Sequence, residues 1–189
     1  MYSDLRIISS NTQYSTNYCF SSFQKMIDLE GRGLEILRWF LAIAAGAIVV
    51  PIQSWLFRHG SIALWDVDPT RWVASIFERA SLIVWVVSLI ASMIWYVMAV
   101  QMRRHFDPRK DTKSAMLKWW IVLLMPLLSL IGSIWIFGKG STAAFPWLVG
   151  FLLLNMVLTF WLSTALSTPS NLAHVVPLAF EIRRVLRID

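Results

Sequence analysis

Four polar side chains recur every four residues toward the end of the chain: Asn155, Thr159, Ser163 and Ser167. On a helix that spacing draws one slowly drifting stripe. Inside an apolar segment such a stripe has two uses. It can hydrogen-bond across a helix interface, at about 0.6–2 kcal/mol per contact, or it can form the wall of a wet pathway in an oligomer. Asn155 is the most demanding member, because a carboxamide carries two N–H donors and a carbonyl that all need partners.

Other groups with chemical potential are fewer. His59 with Asp66 and Asp68, and His105 with Asp107 and Asp111, can each be drawn as a metal trio, but neither has a recognised ligand spacing, so no metal is expected. The single cysteine, Cys19, can form neither an intrachain disulfide nor a thiolate metal centre alone. A nucleophile elbow of the G-x-S-x-G type and a glycine-rich phosphate loop are both missing from the sequence. The reading is therefore non-enzymatic, without cofactor.

These groups must be positioned by membrane helices. Of the 189 residues 57% are hydrophobic and 15% charged, against about 25% charged in a soluble domain. Eleven tryptophans suit the headgroup boundary, where an indole can be half wet. Four uncharged runs organise the chain: 19 residues over Trp39–Phe57, 23 over Ala80–Met102, 20 over Trp119–Gly138, and a fourth at about Pro146–Leu166. About 20 helical residues cross the hydrocarbon core. The runs are apolar round most of their circumference, which excludes four helices with wet outer faces. No Asp, Glu, Lys, Arg or His lies within them, which argues against proton relays, ion-coupled transport and intramembrane hydrolysis. The expected fold is an all-α, integral membrane four-helix bundle of four transmembrane helices with an amphipathic C-terminal helix.

Orientation follows from the basic residues. Thirteen Lys and Arg precede span one, join spans two and three, or follow span four. Only Arg58, Arg71, Arg79 and Lys139 lie on the other side. The positive-inside rule then puts both termini in the cytoplasm. The link Lys139–Phe145 is short enough to make spans three and four an antiparallel hairpin. Asp68-Pro69 reads as an N-cap followed by Pro at the first helical position, so span two should begin early. Asp107-Pro108 carries the same signal, with Asp111 and Ser114 as alternative caps for the third span. The pairs Ala42/Gly46, Ser88/Ser92 and Ser129/Ser133 permit close helix approach, and Pro51, beside Gln53, and Pro126 permit kinks.

The division of the chain is then a polar, mobile tail over 1–34, the spans within 35–168, and a cytoplasmic tail over 169–189. The first 25 residues are rich in Ser, Thr, Asn and Gln and lack the apolar run of a signal peptide, and Met26 is a second candidate initiator. After Pro177, Leu178, Ile182, Val185, Leu186 and Ile188 share one helical face and Arg183, Arg184 and Arg187 the other. That pattern predicts a helix in the interface with its three arginines on anionic lipid headgroups. The expected partners are the lipid bilayer, anionic headgroups, and other membrane subunits or further copies of the chain; the positive charge serves lipid, not nucleic acid. The leading function is helix association as a scaffold, assembly factor or small subunit of a membrane complex. The alternative is a homo-oligomeric pore or passive transport protein lined by the stripe of span four.

Overall fold

A computed structural model describes residues 33–62, 64, 66–103, 105–139 and 143–185. Residues 1–32 of the amino-terminal tail, with Cys19 and Met26, and Leu186, Arg187 and Ile188 lie outside those residues. Residues Met1–Leu37 and Arg38–Asp189 form separate compact units. Of the first, the described part is Gly33–Leu37, the opening of a helix; all contacts below lie within the second.

The described residues are all-α. Four helices are long and apolar enough to cross a membrane: α1 (Gly33–Arg58), α2 (Pro69–Arg103), α3 (Thr112–Phe137) and α4 (Phe145–Ser167). A short helix, α5 (Ala179–Val185), follows. Mid-helix Leu82, Ile121, Leu128 and Ile131 are exposed on the outer surface. Water would not tolerate so continuous an apolar belt, and lipid suits it. The chain is a multi-pass integral membrane protein.

The helix ends follow local chemistry. Gly60, at φ +70°, closes α1: its N–H bonds the Phe57 carbonyl at 3.2 Å, and the Ser61 N–H reaches back to Leu56 at 3.1 Å. This six-to-one pairing needs a left-handed residue, which glycine supplies without Cβ strain. Asp68 accepts from the Thr70 N–H at 3.0 Å, with Pro69 opening α2 as its sequence predicts. Asp107-Pro108 instead forms a turn, its Asp107 carbonyl accepting from Lys110 and Asp111, and α3 begins after Asp111. Asp111 precedes α3 without a side-chain cap bond, its carboxylate accepting instead from the Asp107 N–H at 2.9 Å.

Helix α2 is central, packing along both α3 and α4. Two apolar clusters occupy the ends of the bundle. At one end, Phe57 meets Trp72, Phe77 and Phe151 edge-on at ring separations of 5.1, 5.2 and 5.4 Å. Beside it Arg58 and Glu78 pair at 2.6 Å, and Asp66 accepts from the Ala143 N–H at 3.4 Å, tying the two loops of that end. At the other, basic end, Trp95, Trp119 and Phe160 pack with Leu172, Val175 and Val176 from the segment after α4.

That segment departs from the expected tail. Residues 170–179 fold back into the bundle as a plug. The Asn171 side chain donates to the Arg103 carbonyl at 3.3 Å, and the Trp161 indole to the Pro177 carbonyl at 3.0 Å. Val176–Ala179 is a tight turn with Pro177 second and Leu178 third at φ +63°, a position usually filled by glycine. The turn sends Ala179 inward, and Arg183, four residues on, shares its face. Arg183 is therefore 95% buried and donates to the Thr168 carbonyl, left without a helical partner where α4 ends. Its placement on lipid headgroups is corrected accordingly. Arg184 is exposed beside Glu181 at 3.6 Å, and the exposed Leu178 and Val185 present the apolar face outward.

Candidate functional site: a buried polar seam

Each transmembrane helix has a polar face to place, and α1, α2 and α4 place theirs against one another. On α1 the anchors are Trp39, Gly46 and Gln53, seven residues apart. Seven residues are almost two whole turns, so the three share a side. The Trp39 indole donates to the Ser92 hydroxyl of α2 at 3.2 Å. Gly46 meets α4 so closely that a Cβ there would stand 2.5 Å from Thr159 Oγ1 and 3.5 Å from Trp85 Nε1. At Gln53, Oε1 accepts from Asn155 Nδ2 at 3.0 Å, a bond between residues 102 positions apart. Both carboxamides are buried.

Asn155, Thr159, Ser163 and Ser167 all have zero exposure. In a regular helix a four-residue repeat drifts by about 40° per step, which would carry one end of the stripe out of the seam. The backbone widens into a π turn over Val157–Leu162, beneath Thr159. A wider turn takes in an extra residue without advancing the face, and so offsets the drift. A second π turn, Val73–Phe77, precedes the long regular part of α2.

Down the seam the polar groups differ in how they are satisfied. Ser163 donates to the carbonyls of Thr159 and Phe160, at 2.5 and 2.9 Å. Thr164 accepts from the Trp119 indole at 3.3 Å and Thr168 from the Trp95 indole at 2.9 Å. Gln53 Nε2, Ser81 Oγ, Trp85 Nε1, Ser88 Oγ, Asn155 Oδ1, Thr159 Oγ1 and, nearer the plug, Ser167 Oγ are buried without a hydrogen-bond partner among the described residues. The seam has a more fully bonded half near the plug, where the Ser167 hydroxyl stays open, and an open half near the Arg58–Glu78 pair.

The structure does not bring the histidine trios together. His59 lies against Trp55, its Nδ1 3.1 Å from the Trp55 carbonyl, while Asp66 and Asp68 serve the loop and the cap of α2. Asp107 and Asp111 bond backbone N–H groups of their own loop. Among the described residues no group of three His, Cys, Asp or Glu side chains could hold a metal ion.

Gln53, Gly46, Thr168 and the indoles of Trp85, Trp95 and Trp119 belong to the seam although the α4 repeat does not name them. The heptad spacing of Trp39, Gly46 and Gln53 was the available signal on α1. No protein family, curated protein or solved structure matches the chain.

Proposed function

We propose that this chain is a non-enzymatic membrane protein that works by helix association, as a scaffold, assembly factor or small subunit of a membrane complex, with both termini in the cytoplasm. The observation that carries the reading is the burial of the whole α4 stripe inside one chain, with Asn155 bonded to Gln53. A homo-oligomeric pore would need that stripe on an outer face, available to the lumen. The uncharged seam also favours a packing role over ion passage. Since the stripe is used internally, association falls to the outer surface, and α3 is the least covered of the four spans.

Two experiments test this. In a variant lacking Cys19, cysteines at 155, 159 and 163 should resist charged thiol reagents in the assembled protein; labelling at all three would favour the pore. For orientation, a reporter active only in the cytoplasm should work when fused after Asp189 or inserted near Asp111, and be silent near Gly140. The opposite pattern would invert the protein, and equal signals at Asp111 and Gly140 would remove a span.

A further inference from the structure

The open half of the seam has more buried polar atoms than the protein itself satisfies. Trp85 Nε1 is an obligate donor and Thr159 Oγ1 an acceptor, and neither has a protein partner among the described residues. Both lie beside Gly46, where α1 approaches α4 so closely that a Cβ would clash with Thr159 Oγ1. One turn along α4, Asn155 and Gln53 make one of the two bonds that a carboxamide pair can make, leaving Asn155 Oδ1 and Gln53 Nε2 open. Ser81, one turn before Trp85 on α2, is also open. In a hydrocarbon surrounding, groups of this kind are kept only where something meets them.

The seam also has an approach. A groove of about 360 Å³ runs between α1 and α2, lined by Ala47, Val50, Pro51, Glu78, Leu82 and Trp85. It is lined by Glu78, which pairs with Arg58, and by Trp85, whose nitrogen lies near Gly46. Pro51 lacks an N–H, so the Ala47 carbonyl on this wall loses its usual helical donor. The groove itself is lined mostly by apolar side chains and faces lipid through Leu82, and Trp85 is the seam residue that it touches.

We infer that the open half of the seam is a water-binding site: ordered water bridges Trp85 Nε1 to Thr159 Oγ1 beside Gly46, with further water on the Asn155–Gln53 pair. Water is the ligand the chemistry selects. The groups are neutral, they include both donors and acceptors, and they are spaced along helix turns, while a buried water needs two to four such partners. The Trp95 and Trp119 indoles, already bonded to threonine hydroxyls, need no such water. This site is independent of what the chain associates with. Charged thiol reagents are much larger than water, so shielding of a cysteine at 155 is compatible with it.

The test is water-edited solid-state NMR on the full chain in bilayers, with ¹⁵N in the tryptophan indoles. Trp85 is assigned by the signal lost in Trp85→Phe. Magnetisation from water should reach the Trp85 indole early, while the Trp95 and Trp119 indoles, equally internal but bonded to threonine hydroxyls, receive none on that timescale. Thr159→Val, which keeps the shape and removes the hydroxyl, should abolish early transfer to Trp85 and leave Trp95 unchanged. Gly46→Ala should do the same if it assembles, and Thr159→Val decides the matter if it does not. A Trp85 indole as slow as Trp95 would overturn the proposal. Early transfer that survives Thr159→Val would overturn the assignment of the site to the Trp85–Thr159 pair.

Discussion

Val176→Asp should prevent the protein from being recovered as a monodisperse detergent particle, and Leu172→Ala should lower its unfolding free energy by about 2–5 kcal/mol. Both residues are at most 1% exposed in the plug that closes the basic end of the bundle. Along the spans, removal from lipid brings little hydrophobic gain, since lipid tails are as apolar as leucine. The plug is different, because its residues follow a membrane helix and leave water when they fold. Each fully buried Leu or Val there contributes about 1.5–3 kcal/mol. An aspartate at 176 adds the cost of a buried, unpaired charge, several kcal/mol after relaxation. Val185→Ala is the control: Val185 is 78% exposed on α5 and should shift stability by no more than about 0.5 kcal/mol. Equal effects at 172, 176 and 185 would mean that the plug is not part of the core.

The plug is also where sequence reasoning falls furthest short. The four uncharged runs mark the spans because crossing lipid is a property of composition, readable without knowing any neighbour. Their ends are less legible: α2 starts eleven residues before the run at Ala80, since a helix continues into the interface where charge is tolerated. Asp68-Pro69 could be read there, but Asp107-Pro108, the same pair, forms a turn because Asp111 turns its carboxylate back onto Asp107. Tail amphipathicity groups Arg183 with the headgroup-facing arginines, because a helical wheel does not know that the Thr168 carbonyl lies within reach. The α4 stripe was legible as a repeat. Its partner was not, since Gln53 lies 102 residues away and the heptad spacing of Trp39, Gly46 and Gln53 marks a face of α1 without saying which helix it meets.

That pair gives the second large effect. Asn155→Leu should destabilise the protein by about 1–3 kcal/mol, because it removes the donor to Gln53 Oε1 and strands a buried carboxamide. Gln53→Leu should cost a similar amount from the other side. The double variant should be more stable than the sum of the singles predicts, since with both carboxamides gone nothing polar is left unpaired at that level. The expected coupling is about 0.6–2 kcal/mol, the range for interhelical hydrogen bonds in lipid. The exchange Gln53→Asn with Asn155→Gln should recover most of the loss, because the same groups meet with one methylene moved from α1 to α4. Equilibrium unfolding in mixed micelles of all five proteins supplies the numbers. Strict additivity would separate Gln53 from Asn155 and leave α1 joined to α4 by the Gly46 approach alone. Coupling without recovery in the exchanged pair would mean that the fit, more than the hydrogen bond, fixes the register of α1 against the stripe.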